Sequence, residues 1–233
     1  MGKCNKTGHV TALILAAGSG TRMGSEVPKH LIKILGESVI RRTARAFCEA
    51  DSVDSVIVVC QSEYMDETKK EIKDLSKITA VVEGGKSRMK SASLGFSAIP
   101  ECADIVAIHD AARCLITPEM INEVTAAARL HGAASAGALV HDTVKSACDG
   151  YITSTIDRDG LFLAQTPQAF SVELYRRALG AAGDVDRHTD DNGLIEELGV
   201  PIKCVNTGKT NIKLTTPEDL EYAEFLLMKR GAR

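Results

Sequence analysis

The chain has 233 residues, a formal net charge of −3, 44% hydrophobic residues, only 4% aromatics and no Trp. That suits one α/β domain with an ample core, and it excludes the broad basic field and the stacking rings of a general nucleic-acid binder. No apolar run approaches the roughly 18 residues of a membrane span, which argues against a membrane protein. Seven Cys without a C-x-x-C read as free thiols in a reducing cytoplasm, not as a disulfide frame or a zinc site. The first nine residues are polar and lack the apolar centre of a leader. MGKC is not a myristoylation signal, because Lys6 stands where Ser or Thr is required.

In chain order, Val10 to Leu15 is a buried-strand run that breaks into a loop with Gly18, Gly20 and Gly24. The loop carries Arg22, and Lys29 follows Pro28. Small residues let backbone N–H groups approach an anion closely, and two cations beside them suit a highly charged one, so the stretch reads as a triphosphate cradle. It is not a Walker A loop, because Gly24 is followed by Ser25 and Glu26 instead of Lys and Ser or Thr. It is not a dinucleotide fingerprint either. The third glycine comes one place late, and a helical run, Val39 to Ala50, occupies the stretch where the ribose-binding acid belongs. The bland alternative is a plain glycine turn between strand and helix.

Val53 to Cys60 is a second strand, Glu63 to Leu75 a charged helix, and Ile78 to Val82 a third strand ending in Glu83-Gly84-Gly85. Ala92, Phe96 and Ile99 mark the buried face of a helix. Asp104 to Ile108 is a fourth strand, ending in His109-Asp110-Ala111-Ala112-Arg113. Thr117-Pro118 caps and opens another helix, and Ala134 to Val140 is a further strand. This alternation predicts a doubly wound, mostly parallel Rossmann-like sheet. Ligands in such sheets sit beyond the carboxyl ends of the strands, where Gly18 to Arg22, Gly84 to Arg88 and Asp110 to Arg113 all fall.

The pattern breaks at about 141–160. Thr143 to Ser146 and Tyr151 to Ser154 alternate around Asp149-Gly150, a hairpin signature. A lone hairpin is marginal in water, so a second subunit is expected to cover this arm. The chain then returns to helix Val172 to Ala182, a short helix after Asp190-Asp191, strand Ile202 to Val205 and a last helix from Thr216-Pro217.

Several groups have two readings. Arg88 and Ser91 after Gly84-Gly85 hold a base or phosphate, or merely belong to a capped helix with solvated cations. Asp110 and Arg113 grip a hydroxyl and a phosphate, or pair with each other. His109 reads as structural more readily than as a base. His188 to Asn192 is a metal candidate or an acidic helix start. Lys213, in the strand-like run Asn211 to Thr215, invites a phosphate or guards a sheet edge.

AAGSGTRMG followed by PK resembles the signature of nucleotidyltransferases that join an NTP to a sugar or polyol phosphate. With GGKSRMKS, HDAAR, HDTVK and IDRDGL, TPQAF and NIKLTTPEDL, the set resembles the 2-C-methyl-D-erythritol 4-phosphate cytidylyltransferases from about Leu13 to Leu227. The resemblance implies a single nucleotidyltransferase domain over 1–233. It implies CMP transfer from CTP to the polyol phosphate with release of pyrophosphate, Mg²⁺ held mainly by the triphosphate, and a homodimer made by the arm.

By motif, Arg22 and Lys29 would stabilise the transition state, together with Arg158 and Lys213. Ala16, Ala17, Gly18, Gly85, Arg88, Ser91, Asp110 and Ala111 would hold the nucleotide. Arg113, Thr143, Arg158, Thr166 and Lys213 would hold the substrate, with the arm residues reaching the neighbouring subunit's site. Lys86 stands where an acid is common, Cys114 where Pro is usual, and Asn192-Gly193 where a small residue such as Ala is common. Competing readings are a ribitol 5-phosphate cytidylyltransferase, a sugar-nucleotide enzyme using another NTP, and a non-catalytic nucleotide-binding module. HDAAR and IDRDGL favour the erythritol enzyme, and the presence of Arg22, Lys29 and Lys213 disfavours a non-catalytic module.

Overall fold

The computed structural model describes residues 8–18 and 27–231. The strands are β1 His9–Leu15, β2 Lys33–Ile34, β3 Glu37–Ser38, β4 Ser55–Cys60, β5 Ile78–Glu83, β6 Ala103–Asp110, β7 Ala133–Leu139, β8 Val144–Cys148, β9 Tyr151–Ile156, β10 Phe162–Ser171 and β11 Lys203–Asn206. The helices are α1 Val39–Glu49, α2 Met65–Ile72, α3 Arg88–Ser97, α4 Pro118–His131, α5 Val172–Ala181, α6 Asp191–Glu196 and α7 Pro217–Gly231. No described helix is long and apolar enough to cross a membrane.

Seven strands form one sheet in the order β11-β7-β10-β6-β1-β4-β5. β1 is central and buried along its whole length. Successive side chains of a strand point to opposite faces, so its sequence serves two cores at once. Val10, Ala12 and Ile14 pack with Ile40, Ala44 and Phe47 of α1 and Ile121 and Val124 of α4. Leu13 and Leu15 pack on the other face with Met89 and Phe96 of α3 and Leu174 and Tyr175 of α5. A third, smaller cluster joins Ile34, Cys114, Leu115, Leu214 and Ala223 beneath α7.

The helix starts follow local capping chemistry. Ser38, Ser87, Thr117, Ser171 and Asp190 each accept from a backbone N–H in the first turn of the following helix. At α7 the work falls to Asp219, whose Oδ2 accepts from the backbone N–H of Thr215 and Thr216 at 2.7 and 2.8 Å. This is the return half of a capping box.

The sheet is mostly parallel, with β10 running antiparallel to both β6 and β7. The sequence pattern does not announce β10. Pro167 lies inside it, which normally demotes a strand, and the pairing with β7 shifts between Ala164 and Gln168 at that point. The run Asn211 to Thr215 differs from expectation in the other direction, being loop instead of strand. Burial of Leu214 and the bond from its N–H to Ala112 O at 2.9 Å fix it without a sheet partner.

β8 and β9 pair only with each other. Asp149 and Gly150 have φ of 49° and 83°, the positive values that a two-residue hairpin turn requires. Residues 151–160 are all exposed, including Tyr151 at 78% and Ile152 at 70%.

Candidate active site at the carboxyl edge of the sheet

The carboxyl ends of β1, β5 and β6 continue past the sheet while still bonded to their neighbours. Ala16 N–H donates to Val59 O at 2.7 Å, Gly84 N–H to Cys60 O at 2.8 Å, and Ala111 N–H to Leu15 O at 2.9 Å. The loops therefore leave the sheet on a common, fixed rim. Close approach is demanding at Gly84, where a Cβ would lie 2.6 Å from Ala17 Cβ. Ser91 Oγ reaches back from α3, accepting from Gly85 N–H at 3.0 Å and donating to Ser87 O at 2.8 Å.

These segments enclose a cavity of about 380 Å³. Its wall includes Ala16, Ala17 and Gly18, then Lys29, Arg88 and Ser91, and finally Asp110, Ala111 and Lys213. Asp110 lies at the centre. Its Oδ1 accepts from Arg88 Nε at 2.8 Å and its Oδ2 from Lys213 Nζ at 2.6 Å. Burial alone would raise this carboxyl, but Arg88 and Lys213 outweigh it and hold the carboxyl well below the usual carboxylate range. Burial likewise works against the charge of Arg88, and Asp191 and Asp110 more than restore it. Lys29 Nζ donates to Leu214 O and Thr215 O at 3.3 and 3.4 Å, so two lysines meet across the Lys213 loop. With Lys86 also on the wall, four cations among the described residues gather around the Asp110 carboxylate. Such a concave cationic field concentrates anions.

Two buried histidines support this surface. His30, on the wall beside Lys29, bonds Thr68 Oγ1 at 3.2 Å, and burial pulls it down to about 4. His109 is wholly buried between Thr166 Oγ1 and Arg113 O, and burial pulls it down to about 3. Both are neutral scaffolding at pH 7.

The family model for 2-C-methyl-D-erythritol 4-phosphate cytidylyltransferase (IspD) matches residues 10–229. The chain belongs to this family. It is 40% identical over 229 residues to the cytidylyltransferase of Pelotomaculum thermopropionicum, covering 96% of each chain. It is 41% identical over 231 residues to that of Caldanaerobacter subterraneus, covering 95% of this chain and all of the other. Among solved structures it resembles 4-diphosphocytidyl-2C-methyl-D-erythritol synthase from Anaerococcus prevotii with a TM-score of 0.82. Identity there is 29%, and the match covers 94% of this chain and 96% of that one.

Of the positions that the cytidylyltransferase motifs single out, the cavity brings together Ala16, Ala17, Gly18, Lys29, Arg88, Ser91, Asp110, Ala111 and Lys213. Gly85 sits just behind the wall, bonded to Ser91. Arg22 lies outside the described residues. The Arg113 guanidinium, which the spacing within HDAAR allowed to pair with the Asp110 carboxylate, instead donates from Nη1 to Asn211 O at 2.9 Å, and only the Arg113 backbone N–H reaches Asp110, at its carbonyl. Thr166 is buried under the site instead of lining it. Its Oγ1 accepts from Asp110 N–H at 3.0 Å, and its carbonyl accepts from Asn211 Nδ2 at 2.8 Å.

Thr143 and Arg158 are on the exposed arm, away from the cavity of their own chain. Arg158 donates there to His141 O. The metal reading of His188 to Asn192 does not fit the contacts, because Asp190 caps α6 and both oxygens of Asp191 are occupied.

Motif reading missed His30, Gln61, Ser87, Ala112 and Leu214 as wall residues. Only adjacency to Lys29, Arg88, Ala111 and Lys213 hinted at four of them. Of the departures from the family pattern, Lys86 is on the wall. Cys114 is buried beside Leu115 with its thiol pushed up to about 11 by burial. Gly193 faces His188, whose Nδ1 would lie 2.9 Å from an added Cβ.

Proposed function

We propose that this chain transfers CMP from CTP to 2-C-methyl-D-erythritol 4-phosphate, giving 4-diphosphocytidyl-2-C-methyl-D-erythritol and pyrophosphate. The observation that carries this reading is the Arg88–Asp110–Lys213 constellation at the mouth of β1 and β6 in a chain of this family. A phosphate monoester is already ionised at pH 7 and needs no general base to attack the α-phosphorus. An oxygen of the substrate phosphate forms the new P–O bond in line with the departing pyrophosphate. The principal obstacle is repulsion between two anions, and fixed cations relieve it.

Each residue then has a role. The backbone of Ala16, Ala17 and Gly18, with Gly85 and Ser91, receives the nucleotide. Asp110, ionised and held on both oxygens, accepts hydrogen bonds from hydroxyl groups. Lys29 and Lys213, with Arg22, neutralise the reacting phosphates. Arg113, with Thr166 setting the position of Asp110, lies on the substrate side. Among the described residues no group of three or more His, Cys, Asp or Glu side chains is arranged to hold a metal ion. The cationic wall suits Mg²⁺ that arrives on the triphosphate, since Mg²⁺ binds readily through substrate phosphates. Bound there, Mg²⁺ would spread the negative charge of the leaving pyrophosphate.

The exposed hairpin supports a homodimer in which Thr143 and Arg158 of one chain reach the polyol phosphate in its partner's cavity. Pyrophosphate release with Mg²⁺ and CTP, offered 2-C-methyl-D-erythritol 4-phosphate and ribitol 5-phosphate in parallel, tests the whole reading. Release only with the erythritol phosphate is expected. Release only with the ribitol phosphate would move the enzyme to another substrate, and release with neither would refute cytidylyl transfer to these acceptors.

A further inference from the structure

Behind the cavity, two polar side chains that the proposed chemistry does not use are wholly buried: Tyr175 of α5 and Asp191 of α6. Tyr175 Oη donates to Asp191 Oδ1 at 2.6 Å, and Asp191 Oδ2 accepts from Arg88 Nη1 at 2.7 Å. Arg88 then presents Nε to Asp110 at 2.8 Å. The guanidinium is thus gripped at two edges by carboxylates in front and behind. Its remaining nitrogen, Nη2, is buried with no hydrogen-bond partner among the described residues.

Stability does not account for such an arrangement. A buried ion pair replaced by apolar side chains of the same volume is often neutral or better. Geometry does account for it. A guanidinium is a planar fork, so fixing two of its nitrogens fixes its plane, and with it the direction in which Asp110 is drawn.

Asp191 is held in turn. Its N–H donates to Gln168 Oε1 at 3.0 Å, which places its backbone, while Tyr175 holds the side-chain oxygen that Arg88 leaves open. The Tyr175 ring packs at 4.9 Å from Phe96 and 5.5 Å from Phe170, so the hydroxyl is delivered from a rigid seat. Burial and the neighbouring Asp191 raise this hydroxyl well above its ordinary value, which keeps it a donor.

We propose that Tyr175 is a positioning residue of the nucleotide site, its hydroxyl orienting Asp191 and, through Asp191, the plane of Arg88 and the carboxylate of Asp110. The consequence for turnover rests on the cytidylyl-transfer reading; the linkage itself does not.

Tyr175→Phe removes the hydroxyl and leaves the ring. It is expected to raise KM for CTP about tenfold, the usual order for losing a hydrogen bond to a buried charge, with kcat within about threefold. Val124→Ala, a packing control on the opposite face of the sheet, should lower Tm and leave KM unchanged. The double variant Tyr175→Phe with Asp191→Asn should match Asp191→Asn alone, because both act through one link. An unchanged KM in Tyr175→Phe, or additive effects in the double variant, would overturn the proposal.

The Arg88 Nε–Hε resonance, recorded by ¹H–¹⁵N NMR without nucleotide, decides the linkage independently. It should move in Tyr175→Phe and stay put in Val124→Ala. Wild-type protein that releases no pyrophosphate would refute the transferase reading, while a resonance unmoved by Tyr175→Phe would refute the linkage.

Discussion

Lys213 Nζ sits 2.6 Å from Asp110 Oδ2, so a lysine assigned to phosphate is also held by a carboxylate. The pair keeps Lys213 aimed into the cavity and limits the reorganisation that binding requires. Lys213→Ala is expected to fold and to retain its oligomeric state, since Arg88 still satisfies Asp110. Turnover should fall about 10²- to 10³-fold, the range for losing one group that stabilises developing charge. Steady-state pyrophosphate release beside size-exclusion chromatography checks both halves.

The buried histidines set the acid limit of the fold. His30 falls to about 4, below its ordinary value. Between pH 6.5 and 4 the unfolded chain therefore binds a proton at this position that the folded chain does not. Stability is complete above that window and is lost as pH falls through it, by up to about 3 kcal/mol. His109, at about 3, extends the loss further down. Thermal melts from pH 7.5 to pH 4.5 should show a steady fall in Tm, and His30→Leu should flatten the slope. An unaltered slope would remove His30 from the account.

Leu214 anchors the loop that carries Lys213. It is buried against Cys114 and Leu115, and its backbone N–H is bonded to Ala112. Leu214→Ala should cost about 2–5 kcal/mol, as large-to-small core substitutions do, and should also raise KM for CTP by loosening Lys213. Urea unfolding midpoints and KM measured on the same preparation test the coupling.

Gly84 faces the Cβ of Ala17 too closely for a side chain. Gly84→Ala should therefore impair CTP binding by parting the β1 and β5 loops, with less effect on the two cores. Isothermal titration with CTP beside a thermal melt separates the outcomes, and normal affinity would show that the rim yields.

The arm is tested by excision. Joining Asp142 to Asp157 through a short glycine linker should yield a monomer with greatly raised KM for the polyol phosphate and nearly normal CTP binding. Light scattering and titration check this, and an active dimer would end the proposal that the arm makes the second half of the site.

Much of this is legible in the sequence itself. Val10 to Leu15 reads as a central strand because both of its faces are apolar, and the glycine loops after β1 and β5 mark a ligand rim by backbone chemistry alone. What could not be read were the long-range partners. Asp110 lies three residues from Arg113, yet Arg88 and Lys213 take its oxygens, because strand ends meet in space according to sheet order and not sequence distance. Asp191 looked like half of a metal site for the same reason. Its partners, Tyr175 and Arg88, come from helices that only the folded sheet brings together. β10 is hidden by a proline, and the Lys213 loop reads as a strand because Ile212 and Leu214 alternate with Asn211, Lys213 and Thr215.

The reversed direction of β10 has an architectural consequence. β7 leaves the sheet at the edge where ligands enter, and β10 returns from that same edge. No crossover helix is needed between them, and the whole arm is an insertion at that edge, outside the cavity of its own chain. The nucleotide frame, built from β1, β5 and β6, shares no strand with that insertion. The reach and chemistry of the arm can thus be redesigned, by lengthening or recharging the hairpin, while the frame that grips the nucleotide keeps every register intact.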